Sequence, residues 1–343
     1  MAEQTASIDN IPQPAKTTLA ELAASLERQR LRACVSMVKS VVILLACLWI
    51  GVSGIPMMFD ITATSASSGE ITAFLGTPME DVGGIASVVL IGWPLLWLIG
   101  GFWQFKRWGL GARWKYINDY KRKVLGGICR AHFPTMAYEP GVGMDWRIFE
   151  GSTLFAFTPD EYSSEDRFTG KWGSTDVAFA EAVAQRQRKR FTLKGFETIT
   201  ETYFRGLIFI ADFHKHFQGT TRLIPQGEKG VKNRSEQRVH LESPHFEAAF
   251  ETWASNQVEV RYLLSTSMLE RFVELQQRFP KLRARFHDES LLLLLPSSHD
   301  RFEPSLLRRA GSQNQYQSFI EDLDTCLSVV DELNLNTRIW SKV

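Results

Sequence analysis

Lysine and arginine are missing altogether from residues 60–81, and cysteine is scarce along the whole chain. Each shortage excludes something. Cys34, Cys47, Cys129 and Cys326 stand far apart with no CxxC pair, so neither a disulfide framework nor a zinc ribbon is expected. No GxGxxG or Walker-type loop occurs. Gly141-Val142-Gly143 lacks both the third glycine and a strand-then-helix setting, so a nucleotide site has no support. A GxSxG nucleophile elbow and an HExxH zinc helix are absent as well. Net charge is only +1, which hides a strongly basic stretch in an otherwise balanced sequence.

Long uncharged apolar runs are what the chain does have. Val82–Phe105 contains no charge, and Val41–Phe59 none before Asp60; Val35–Val38 extends the first run past Lys39. Roughly twenty apolar residues suffice to cross a bilayer as a helix. Lys39 stands near the end of its run, where an ammonium can snorkel to the headgroups. Trp49, Trp93, Trp97 and Trp103 suit the interfacial belts, and Pro94 predicts a kink. Arg28, Arg30, Arg32 and Lys39 precede the first run, and Lys106 and Arg107 open a basic stretch after the second. The connection carries only Asp60, Glu70, Glu80 and Asp81. Cytosolic loops hold the excess of lysine and arginine, so the pattern predicts spans at about 35–59 and 82–105, an external loop at 60–81 and both termini in the cytosol. The first run begins too late for a cleaved signal peptide and reads as a retained anchor in a bacterial inner membrane.

The stretch after the second run mixes Lys106, Arg107, Arg113, Lys115, Lys121, Arg122, Lys123 and Arg130 with Trp108, Trp114, Tyr116 and Tyr120, against Asp119 alone. Basic residues gain roughly 1 kcal/mol each beside anionic lipid, and aromatics settle at the interface. Lys106, Arg107, Trp108, Arg113, Trp114, Lys115, Lys121, Arg122 and Lys123 are therefore the expected lipid-interface residues, on a helix ended by Gly126-Gly127. The membrane accounts for this charge, so no nucleic-acid partner is expected.

Beyond Pro134 the texture changes to short β-branched and aromatic runs with turn signals between them. Trp146–Phe157 reads as one or two strands, Thr175–Val183 as an alternating strand and Tyr203–Phe213 as a buried central one. Thr266–Phe279 and Tyr316–Leu333 carry apolar residues at helical spacing. The expected class is α+β: a two-helix transmembrane hairpin, a mixed β-rich cytosolic domain and a C-terminal amphipathic helix. The divisions are 1–33, a cytosolic tail with a short helix; 34–105, the hairpin; 106–133, a basic juxtamembrane helix; 134–307, the cytosolic domain; and 308–343, the C-terminal helix.

Chemistry is thinly marked. On a strand, Asp212, His214 and His216 share one face, and two imidazoles with a carboxylate can hold a divalent metal. A polar strand end looks the same, and no fourth ligand is apparent, so neither metal nor cofactor is expected. Glu161, Glu165 and Asp166 read as a solvated acidic turn. Arg261 is either a buried, paired charge or a surface residue on a helix.

Several strings resemble a bacterial family known only as a domain of unknown function, number thirty-one thirty-seven in its series. They are Asp166–Gly170 with the strand to Glu181, then Phe204-Arg205-Gly206-Leu207-Ile208-Phe209-Ile210-Ala211-Asp212-Phe213-His214-Lys215, then Glu242, Phe246 and Phe250, and finally Gln257–Leu264. The likeness extends over Arg147–Leu295. It implies two spans near the N-terminus and a cytosolic domain, with no assigned reaction and no family-wide histidines at 214 and 216. The expected function is a membrane-anchored binding or scaffold module that recognises a protein partner or anionic lipid without catalysis, with room for a homo-oligomer. The alternatives are a membrane-bound metal-dependent hydrolase and a subunit of a small channel or transporter.

Overall fold

A computed structural model describes residues 13–68, 79–192, 195–213, 218–231, 233–298 and 300–336. The class is mixed α and β, with a long apolar helix near the N-terminus and a large antiparallel sheet. The chain clusters into two units. One comprises Leu22–Tyr120 with Ser305–Ala310; the other takes in Lys121–Pro304 and the described chain from Gly311 onward.

The first unit is helical. Helix α1 runs Gln13–Ser68, with Pro14 in its first turn, where a missing N–H costs nothing. Helix α1 is continuous across residue 34, since no proline falls between Ala15 and Ile55 to interrupt helical bonding. The stretch Glu21–Gly54 is long and apolar enough to cross a membrane, and little of it is buried. Val42, Leu45 and Trp49 all point outward. Helix α2, Met79–Gln104, leads into a π-helical turn at Phe105–Leu110 and helix α3, Gly111–Tyr120. Helix extends to Ser68 and resumes at Met79.

Within this unit, α1 touches α2 and the turn that follows it. Gly51 meets Pro94, Leu44 and Cys47 meet Gly101, and Ser40 meets Gly109. A Cβ on Gly101 would lie 3.1 Å from the Cys47 Cβ, a tight contact that glycine avoids. Ser36 Oγ donates to Trp108 O at 2.8 Å. At the other end of α1, Arg30 donates to Leu306 O and the Ala310 N–H to Glu27, holding the strap Ser305–Ala310.

The second unit is built on nine antiparallel strands in the order β1-β2-β3-β4-β9-β8-β5-β7-β6. They are β1 Met136–Glu139, β2 Glu161–Trp172, β3 Thr175–Thr192, β4 Gly195–Asp212, β5 Thr220–Pro225, β6 Gln237–Val239, β7 Phe250–Ala254, β8 Arg283–His287 and β9 Ser290–Pro296. Helices Lys121–Leu125 (π) and Gly126–His132 join this unit at its start. Gly126-Gly127 therefore lie within helix instead of ending one.

Both faces of the central strands are covered, which is why Phe204–Ala211 reads as a nearly unbroken apolar run. On one face Ala180, Ala182, Ala184, Ile208 and Leu294 pack under Met144, Phe149 and Leu154. Small alanines leave room for the large rings above them. On the other face Phe168, Phe179 and Phe209 stack across three neighbouring strands, with centroids 4.8 and 5.8 Å apart. Phe302 and Phe319 close over Phe168, the latter from helix Gln313–Glu332. Each buried phenylalanine contributes about 2–3 kcal/mol of transfer free energy.

Trp146–Phe157 is not strand. Asp145 caps a helix, Trp146–Gly151, by accepting from the Arg147 N–H. Three sheet arginines then hold the chain that leaves it: Arg285 donates to Gly151 O, Arg222 to Thr153 O and Arg283 to Leu154 O, each at 2.5 Å. Arg261 lies exposed on a short helix, Gln257–Leu263, which decides between its two readings.

Candidate functional site

The concentration of buried charge lies in the second unit, beside a bulge in β2. Pairing with β3 slips between Glu165 and Phe168, and Asp166 takes φ of 56°, in the left-handed region that aspartate tolerates better than most residues. The bulge turns the Asp166 side chain inward, where it is fully buried. Lys121 Nζ donates to Asp166 Oδ2 at 2.6 Å, and the Tyr138 hydroxyl donates to Oδ1 at 2.6 Å. Lys121 also lies 3.2 Å from Glu303 and 3.4 Å from Glu165. One ammonium thus serves three carboxylates, with Asp166 the only one wholly out of water.

Next to this pair is a cleft of about 240 Å³, lined in part by Ser163, Ser164, Glu165, Glu181, Arg205 and Asp300. Glu165 and Glu181 oppose each other across β2 and β3. Glu181 Oε1 accepts from the Arg301 N–H at 2.7 Å, and Arg301 itself pairs with Asp322 at 3.0 Å. Arg205 pairs with Asp300 at the exposed rim at 2.7 Å. Ser164 Oγ donates to Glu181 O and accepts from the Met144 N–H, so it is engaged in structure and has no adjacent base.

Electrostatics follow from burial. Desolvation pushes Glu181 up to about 7, with Asp166 and Asp300 adding to the rise and the Arg301 N–H opposing it. Burial likewise pushes Asp166 up to about 6, against the pull of Lys121 and Tyr138. Burial works against the Lys121 ammonium, but Asp166, Glu303 and Glu165 outweigh it and raise its pKa. The arrangement can take up and release protons near neutral pH. It does not assemble a nucleophile with a base.

A pH dependence of stability follows. Glu181 has a folded pKa above its ordinary 4.5, so its protonated form favours folding. That contribution is complete below about pH 4.5 and fades as pH rises through 7. At about 1.4 kcal/mol per pKa unit, we expect Glu181→Gln to stabilise the chain by about 1–3 kcal/mol at pH 8 and by much less at pH 5. Denaturant melts of the full chain in detergent at both pH values provide the check. Identical pH slopes in variant and parent would show that Glu181 is not the titrating group.

The sequence-expected interface residues divide. Lys106, Arg107, Trp108, Arg113, Trp114 and Lys115 are exposed in the helical unit, and Arg122 and Lys123 are exposed in the other. Lys121 is corrected: its ammonium is consumed by Asp166 and is only 3% exposed, so it offers nothing to a headgroup. Asp166 likewise leaves the solvated turn expected for it, because residues 161–172 form a strand. Asp212 ends β4 in a shallow groove with Asp176, Glu289 and Ser290. His214 and His216 lie outside the described residues. Among the described residues no group of three or more histidine, cysteine or acidic side chains could hold a metal. Cys129 and Cys326 are buried free thiols, and burial pushes Cys129 up to about 12.

Residues 202–335 match DUF3137, a family of proteins of unknown function. The DUF3137 match begins later than the expected Arg147 and ends beyond Leu295, reaching through helix Gln313–Glu332. It includes Arg205, Asp300, Arg301 and Glu303 of the charged cluster, but not Lys121, Tyr138, Asp166 or Glu181. No curated protein matches the chain. A solved structure, the crystal structure of the mycobacterial trehalose monomycolate transport factor A, TtfA, aligns over 57% of this chain and 88% of that one, with 8% identity and a TM-score of 0.32. A likeness that shallow carries no argument.

Proposed function

We propose that this protein is a membrane-anchored module without catalytic activity, held in a bacterial inner membrane by two spans, with both termini cytosolic. The second unit presents a binding surface for a protein partner, while the basic helical stretch rests on anionic headgroups. One observation carries this reading. Within the helical unit, the Ser36–Trp108 and Ser40–Gly109 contacts bring Lys106, Arg107 and Trp108 level with Lys39, where the exposed apolar run of α1 begins. Arg107 stacks on Trp103 at 5.1 Å and Lys106 on Phe102 at 5.6 Å, cations folded back over the last aromatics of the apolar helix. Trp108 and Trp114 remain 52% and 71% exposed, as interfacial rings would. The contacts of α1 with α2 support the second span.

The test uses the full chain in bilayer nanodiscs containing equal phosphatidylglycerol and phosphatidylcholine. Spin-labelled lipids report which headgroup is retained at the protein surface. We expect phosphatidylglycerol to be preferred, and the preference to fall at least twofold when Lys106, Arg107, Arg113 and Lys115 are all changed to glutamine. Equal retention of both lipids in the parent protein rejects the headgroup role. A reporter after Val343 that is active only outside the cell rejects the orientation.

A further inference from the structure

Strands β3 and β4 are both 18 residues long, but their neighbours are not. β2 stops pairing with β3 at Gln185, and β9 pairs with β4 only from Gly206 onward. Beyond those points β3 and β4 continue as a two-stranded ribbon, in register from Gln185↔Thr202 to Thr192↔Gly195. A ribbon that leaves its sheet has no core to bury side chains, so its residues are expected to be polar. Two are not. Phe191 and Phe196 face each other across the strands near the end, ring centroids 5.4 Å apart, and are 73% and 79% exposed. They touch each other and leave most of both rings in water.

Cations stand directly behind them. Arg188, Lys189 and Arg190 are exposed, and Arg186 packs on Phe157 at the ribbon's base, 4.6 Å from the ring. Alternation places Lys189 on the same face as the phenylalanines and Arg188 and Arg190 on the other. Two carboxylates oppose them: Glu201 pairs with Arg188 at 3.0 Å, and Glu197 stands across from Arg190. Among the described residues, four cations against two carboxylates leave the ribbon basic.

We propose that this ribbon is a membrane-contacting finger whose Phe191–Phe196 tip enters the interface of a bilayer that contains anionic lipid. The depth profile supports a bilayer over a protein groove. At roughly 3.4 Å per residue, the cations lie about 3–10 Å behind the rings. An amphipathic element enters the headgroup boundary by about 5–10 Å, so the rings reach the acyl edge while Lys189 and Arg190 stay at phosphate level. Cations on both faces suit a surface that surrounds the finger, whereas a protein groove would contact one face. One finger binds weakly by itself. On an anchored chain it adds a second contact at high effective concentration. The inference rests on the membrane reading above but concerns a different element.

The experiment labels Thr198→Cys, on the phenylalanine face, with an environment-sensitive fluorophore in a Cys34→Ala/Cys47→Ser full chain. The protein is reconstituted in vesicles carrying acyl-brominated lipid. A parallel chain carries the label at Leu45→Cys, within α1. We expect quenching at both positions when phosphatidylglycerol is present. Phe191→Ser/Phe196→Ser should reduce it at least threefold at position 198 alone, with unchanged melting because neither ring is in a core. Quenching at 45 without quenching at 198 overturns the finger. Absence at 45 overturns the membrane anchor instead. Equal quenching in neutral vesicles, or shielding at 198 without quenching, overturns the anionic-bilayer assignment, the latter by showing that protein covers the tip.

Discussion

Lys121→Met is expected to destabilise the second unit by about 3–5 kcal/mol, the usual cost of removing one partner from a buried pair and leaving the other charge unpaired. Asp166 has no route to water: it is fully buried, and β1 and β2 close around it. Without the ammonium, only the Tyr138 hydroxyl remains at 2.6 Å to stabilise the carboxylate. The sign of the pH dependence makes the prediction specific. Deprotonated Asp166 is what costs, so the loss should be greatest above neutral pH and shrink as acid protonates the carboxyl. Lys121→Met/Asp166→Asn should recover most of the loss, because an amide can still accept from Tyr138 and needs no counter-charge. Denaturant unfolding of the full chain in detergent, for the parent and both variants at pH 5.5 and 8, measures all of this. A loss below about 1 kcal/mol would restore Lys121 to the exposed basic set, where surface lysines usually fall.

How far the sequence could anticipate this cluster depends on what kind of signal each residue gives. The apolar run of α1, the doubly covered strand Phe204–Ala211 and the two late amphipathic helices declare themselves through local periodicity, so they were legible. In Trp146–Phe157 aromatic content suggests strand, while the deciding features are one cap at Asp145 and arginines far along the chain. Lys121 hides its role for a related reason. Seven other cations share its stretch, and nothing local separates the one that turns inward from those that do not. Its partner is 45 residues away and points inward only because of a bulge, which shifts the alternation by one residue. The one local hint was Asp166 standing two residues before the buried Phe168. The exposure of Phe191 and Phe196 leaves no local sign, because it requires knowing where β2 and β9 stop.

Arg222→Met is expected to be as damaging as Lys121→Met, at about 3–5 kcal/mol, for a more composite reason. Arg222 sits in β5, is 1% exposed and pairs with Glu236, itself 7% exposed. Its guanidinium donates through Nε to Glu236 Oε2 at 2.7 Å, through Nη1 to Thr153 O, and through Nη2 to Val231 O at 2.8 Å. Methionine fills much the same volume, so the variant tests charge and hydrogen bonding more than packing. It strands one buried carboxylate and removes a donor from two carbonyls. Thr153 is the more sensitive of these, since its φ of 55° is unusual for a β-branched residue and is held by the arginine clamp. Arg222→Lys should recover only part of the loss: one ammonium restores a charge for Glu236 but cannot reproduce a planar fork aimed at three acceptors. Arg285→Met is the control. It removes the neighbouring donor to Gly151 O from a partly exposed residue and should cost no more than about 1–2 kcal/mol. The ordering Arg222→Met, then Arg222→Lys, then Arg285→Met, read from denaturant midpoints, is the result to look for. Equal midpoints for Arg222→Met and Arg285→Met would mean that the buried ion pair contributes no more than a single backbone hydrogen bond.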